Sequence, residues 1–300
     1  MPDQLKGVLF ASVTAFLWGF LAIALKVATQ QFPVVTIVWF RFAFAFLVLF
    51  IYFSLTDKTK LKILIRPPLL LVIAGIGLAA NYIGYAKGIE YTSPTTAQVV
   101  IQLGPIMLGL VGFLIFREKI GKKQMIGFAV ALIGLTFFYL NQVTGLIESK
   151  LSLINTGFAW IVAAAFAWAI YASLQKILVK TIETQVLNLF IFGLPTLVYA
   201  PFVDFSQLFH INLNQWLLLI FLGLNTLVAY GSLAFAFKYA DVNKVSVIIT
   251  LNPIITFIAM SILYQMQVSW IETQRMDFLT WAGAIMVIAG AVMVVYFKKR

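Results

Sequence analysis

Ten stretches of about twenty predominantly apolar residues follow one another along this 300-residue chain, and they leave little choice of fold. Each is long enough for a helix rising about 1.5 Å per residue to cross about 30 Å of hydrocarbon. Helices are the expected form, because a backbone in lipid finds no water and must pair its polar groups within its own segment. The spans read as 6–28, 34–55, 68–88, 94–116, 123–141, 155–177, 184–202, 214–237, 243–265 and 278–297. The connections are too short for a separate soluble domain. Composition agrees: 62% of the residues are hydrophobic and 10% are charged, against about 25% charged in an ordinary soluble domain. The first apolar run is too long for the core of a cleavable signal and lacks a basic stretch before it, so it reads as the first span.

The chain has no cysteine, which excludes disulfides, thiolate metal sites and thiol nucleophiles, and its one histidine, His210, sits in a polar connection. The net charge of +11 is explained by where the cations fall. Sixteen Lys and Arg lie on one side of the spans and four on the other, with Arg41 inside a span. This places both termini in the cytoplasm and accounts for the basicity as topology signal and lipid contact, without nucleic acid.

The sequence also repeats. Gly7, Phe16, Trp18 and Lys26 recur as Gly157, Phe166, Trp168 and Lys176. Tyr82, Ala86 and Tyr91 recur as Tyr230, Ala234 and Tyr239, and Leu103-Gly104-Pro105 as Leu251-Asn252-Pro253. Gly127 and Gly134 match Gly283 and Gly290. The expected architecture is therefore an all-α membrane protein of ten transmembrane helices in two five-helix repeats, residues 1–145 and 146–300. Five is odd, so the second repeat enters from the opposite face, the inverted arrangement of several secondary transporters. Channels also use it.

Polar and aromatic residues inside the spans mark candidate substrate contacts. Pro105 and Pro253 each remove a backbone donor within an apolar run and are expected to kink their helices. Such kinks serve either packing or a cavity wall. Gln98 and Gln102 share a helix face near the first kink; Asn243, Ser246 and Thr250 share one near the second, with Asn252 beside them. Asn81, Tyr82 and Tyr85 cluster on the third span, and Asn225 and Tyr230 lie on the eighth. Amides at depth also bond neighbouring helices, so both uses stay open. Trp18, Trp168 and Tyr171 lie far from the interfacial belt and suit an aromatic pocket or core filling. Arg41 is about 10 Å into its span, where it either faces a cavity or snorkels outward. Lys26 and Lys87 lie nearer the outer end and are expected to snorkel. Gly84 with Gly88 and Ala159 with Ala163 read as close-packing pairs.

The run Tyr91-Thr92-Ser93-Pro94 leading to Leu103-Gly104-Pro105, then Glu118 and a basic loop, resembles the paired domains of the drug/metabolite transporter superfamily, of the ten-helix EamA type. Lys238-Tyr239-Ala240-Asp241 leading to Leu251-Asn252-Pro253, the Phe16 to Gly19 run and Arg41 also fit. The resemblance implies a carrier. Members of the superfamily export aromatic and other amino acids or carry sugar phosphates, nucleotide sugars and S-adenosylmethionine. The second half departs from the pattern, because Tyr264-Gln265-Met266-Gln267 holds no acid where the first half has Glu118.

No carboxylate lies mid-span; Glu90, Glu118 and Glu183 are the nearest, all at ends. A proton-coupled cation extruder needs an embedded acid, so export of a neutral or zwitterionic substrate such as an amino acid is the leading expectation. The alternative is an anionic phosphorylated or nucleotide-like metabolite bound by Arg41 and Lys26; a channel is a third. An intramembrane enzyme would need an embedded histidine, paired acids or a metal cluster. The partners implied are a small-molecule substrate and lipid. No cofactor is expected, a monomer suffices, and the plasma (inner) membrane of a bacterium is the expected location.

Overall fold

The computed structural model describes residues 3–104, 106–107, 121–143, 148–240, 245, 248–273 and 277–297. Every regular element among them is helical. The principal helices are α1 (Asp3–Thr29), α2 (Val34–Thr56), α3 (Leu69–Tyr91), α4 (Pro94–Val100), α5 (Lys122–Val143), α6 (Glu148–Leu178), α7 (Thr184–Tyr199), α8 (Leu213–Tyr239), α9 (Asn252–Gln265) and α10 (Phe278–Tyr296). Single turns at Lys58–Leu61, Lys62–Ile65, Ala200–Phe202 and Phe205–Phe209 join some of them. Seven helices among the described residues are long and apolar enough to cross a membrane, and Asn252–Gln265 and Phe278–Val294 are shorter apolar helices. The protein is an integral, multi-pass membrane protein.

Local chemistry starts several of these helices. Ser93 accepts a hydrogen bond from the Thr96 amide at 3.1 Å, and Pro94 takes the first helical position, where its missing donor costs nothing. Asn212 and Gln215 form a reciprocal capping box at the start of α8. Between helices, Asp57 and Asp204 accept from the Thr59 and Ser206 amides and hydroxyls, which holds both carboxyls below their usual range.

Packing puts polar groups inward and apolar groups outward. Phe16, Leu47, Ile51, Leu132, Phe137, Phe166 and Leu217 are exposed, as lipid contact requires, whereas Arg41, Asn81, Gln98, Gln102, Asn225 and Thr226 are buried. The helix pairs α1 with α8 and α3 with α6 each pack along their length, as do α5 with α10 and α2 with α7. The contacts are reciprocal. A side chain at Gly157 would meet Thr92 and Tyr91, and one at Gly7 would meet Ala240. Thr14 donates to the Ala229 carbonyl at 3.0 Å, and Asn81 donates to the Ala164 carbonyl at 2.9 Å. Glycine is required where α5 touches α10: a Cβ on Gly127 would lie 2.9 Å from the Gly290 carbonyl, and one on Gly283 would lie 3.0 Å from that of Gly134.

Candidate functional site

Two breaks in the helices shape the centre of the molecule. After α4, the chain makes a turn at Ile101–Gln102, with the Gly104 amide bonding the Ile101 carbonyl at 2.8 Å. At the matching place in the second half it turns at Thr250–Leu251 before α9 begins. Pro253 therefore stands in the first turn of a new helix rather than inside a bent one. The expected kink is real as a discontinuity, but it precedes the proline, because a residue without an N–H is accommodated at a helix start. Pro105 lies outside the described residues, as do Ser246 and Asn243.

Around these breaks lies a cavity. Its polar wall holds Arg41, Asn81, Gln98, Gln102, Thr250 and Asn252. Its aromatic wall is Trp18, Tyr82, Tyr85, Trp168 and Tyr230. Leu21, Ile101 and Ile249 complete it. Much of the lining comes in repeat-related pairs: Trp18 with Trp168, Tyr82 with Tyr230, Ile101 with Ile249, Gln102 with Thr250. The rings touch one another, with Tyr230 5.3 Å from Trp18 and 5.6 Å from Tyr82 between centroids.

Three consecutive carbonyls of α1 hold this wall in place. Asn225 of α8 donates to Leu17 at 2.8 Å, Gln98 of α4 to Trp18 at 2.7 Å, and Thr256 of α9 to Gly19 at 2.6 Å. Gly19 permits the last contact, since a side chain there would run into Ile255. Across the two breaks, Gln102 donates to the Asn252 side chain at 3.1 Å and so ties one half of the chain to the other.

Arg41 is the charged member of the lining and is only 2% exposed. Its Nε donates to the Thr226 hydroxyl at 3.0 Å, and its guanidinium carbon lies 4.2 Å from the centre of the Tyr82 ring. Its remaining N–H groups have no partner among the described residues. The hydroxyl of Tyr82 and the indole nitrogen of Trp18 are also buried without a hydrogen bond among the described residues. Arg41 therefore faces the cavity and does not snorkel.

The other expected residues fall elsewhere. Tyr171 is buried behind the wall, its ring 6.0 Å from that of Tyr230, and Asn225 braces α1. Lys26 neither snorkels nor reaches the cavity. Its ammonium donates to the carbonyls of Ile89, Glu90 and Thr92 at 3.0, 3.0 and 2.6 Å, capping the C-terminal end of α3. Lys87 pairs with Glu90 at 2.8 Å. Sequence reading missed Leu21, Ile101 and Ile249 as lining residues, whose apolar side chains carry no signal, while Asn252, named beside Thr250, does line the cavity.

Comparison with known proteins agrees with this architecture. An uncharacterized transporter of Haemophilus influenzae is 31% identical over 292 residues, covering 97% of this chain and 95% of its own. The uncharacterized inner membrane transporter YhbE of Escherichia coli K12 is 32% identical over 290 residues, covering 95% and 89%. A solved crystal structure superposes with a TM-score of 0.67 at 17% identity, covering 99% of both chains, a likeness of fold. The EamA-like transporter family matches residues 5–140 and 155–296, nearly the whole sequence in two pieces, and the chain belongs to that family.

Proposed function

We propose that this protein is a secondary transporter that moves a small amphiphilic metabolite, an amino acid or a similar molecule, outward across a bacterial plasma (inner) membrane. Transport proceeds by alternating access between two inverted five-helix repeats, residues 1–145 and 146–300, with ten spans and both termini in the cytoplasm. The observation that carries this reading is the cavity between the halves, bounded by two helix breaks and lined by repeat-related pairs. The reciprocal contacts of Gly7 and Gly157, and of the α5 and α10 glycines, support the two-fold relation that equal and opposite conformations require. The name of the Escherichia coli relative supports the membrane assigned. Lipid surrounds the apolar exterior, and the described lining residues all come from a single copy of the chain.

A second reading, an anionic substrate, is favoured by Arg41 on the cavity wall. Its former companion Lys26 is committed to α3 and does not contribute.

Flux into proteoliposomes tests the proposal, using a panel of neutral, zwitterionic, cationic and anionic metabolites. A carrier gives saturable uptake that is accelerated by substrate on the far side. Flux that neither saturates nor responds to trans substrate would make the protein a channel.

A further inference from the structure

A buried arginine needs an anion. Among the described residues no carboxylate lines the cavity. The ion pairs Lys6–Asp3, Lys60–Glu183 and Lys87–Glu90 all lie away from it. Placing a guanidinium in a span without a counter-ion is costly, and such a residue marks function. The partners Arg41 does have are neutral: one hydroxyl and one ring face. They fix its plane and leave its terminal donors for a ligand, a fork that matches the two oxygens of a carboxylate.

Charge arithmetic narrows the class. We propose that Arg41 receives a single carboxylate, and that the cavity selects amphiphilic monoanions, carboxylic acids with an aromatic or branched body, over zwitterions and phosphomonoesters. The proposal rests on the transport reading above and takes, within it, the anionic substrate that Arg41 favours in place of a zwitterionic amino acid. A monoanion brings the buried charge to zero. A phosphomonoester carries about −1.5 to −2 at neutral pH and would leave excess negative charge against the one cation among the described lining residues. A zwitterion brings an ammonium that must lose its water, and among the described lining residues it meets amide oxygens and rings and no acid. Trp18, Trp168, Tyr230, Leu21, Ile101 and Ile249 provide the surface for an apolar body. The charge belongs to one half only. At the offset of 150 that relates the starts of α2 and α7, Arg41 corresponds to Ile191, which is fully buried in the core.

The test holds the phenyl body and varies the charged group. Purified protein is titrated calorimetrically with 3-phenyllactate, phenylalanine, phenylalaninamide, 3-phenyllactamide and phenethyl phosphate. The same compounds are followed in proteoliposomes, with flux through protein-free vesicles subtracted. Phenyllactate and phenylalanine differ by a hydroxyl against an ammonium, so their ratio reads the net-charge preference directly. The expected result is at least tenfold tighter binding of phenyllactate than of any other member. In Arg41→Gln that preference over phenyllactamide falls at least tenfold, and Arg41→Lys restores part of it. A merely structural role for Arg41 would weaken all five compounds together and would overturn the proposal. Equal or tighter binding of phenylalanine or of the phosphate by the wild-type protein would also overturn it, without needing any variant to fold. Calorimetric binding of phenyllactate without flux would defeat the transport reading while upholding the carboxylate site.

Discussion

Thr226 illustrates how much a single hydroxyl can contribute to a charged site. It accepts from Arg41 and donates back to the Leu222 carbonyl at 3.0 Å, so it sets the guanidinium's orientation without offering charge. Thr226→Val keeps the shape and removes the acceptor. We expect it to weaken anionic ligands by roughly 0.5–1.5 kcal/mol, the net value of one hydrogen bond, and to leave neutral ligands unaffected in the same titration. Lys26 makes the opposite case, a cation used for architecture. Lys26→Met removes the group that satisfies three terminal carbonyls of α3 and should lower stability by about 2 kcal/mol, read as a lower Tm with an unchanged order of ligand preference. The sequence could not separate these two cations. Both sit toward one end of a span, and what distinguishes them is the neighbour each meets: a helix end for Lys26, a hydroxyl and a ring for Arg41. The same holds for the amides. Asn81, Gln98 and Asn225 all donate to backbone carbonyls of α6 or α1, yet only Asn81 and Gln98 also line the cavity.

At the level of helices, two contacts between the halves make quantitative demands. The Gln102–Asn252 hydrogen bond spans the two breaks, so a double-mutant cycle with alanine at both positions should return a coupling of about 1 kcal/mol in ligand binding. Additive effects would mean that the breaks act independently. On the far side, α5 and α10 approach closely enough that a Cβ on Gly290 would sit 2.6 Å from the Gly127 carbonyl. Gly290→Leu must push the helices apart and should cost at least about 1–3 kcal/mol, seen in thermal unfolding of the detergent-solubilised protein. Much at this scale was legible beforehand. Apolar runs of about twenty residues gave the helices, since lipid forces the backbone to pair internally. The prolines marked the breaks but not their position. Whether a proline bends a helix or begins one depends on the preceding residues, and Thr250–Leu251 form a turn that periodicity does not announce.

Across the whole molecule, the sequence repeat is why so much of the cavity is legible in advance. Trp18 with Trp168 and Tyr82 with Tyr230 match between the halves of the sequence, and all four lie on the lining. Leu21, Ile101 and Ile249 could not be found this way from chemistry alone, because apolar residues that face a cavity look like those that face lipid. The central claim is that the cavity opens to each side of the membrane in turn. The chain contains no cysteine, so Ile249→Cys places one thiol on the lining without background. Its labelling by a membrane-impermeant thiol reagent should be measured in vesicles of both orientations, with and without ligand. Alternating access predicts labelling from both faces and protection by ligand on each. Labelling from one face alone, whatever ligand is present, would contradict it.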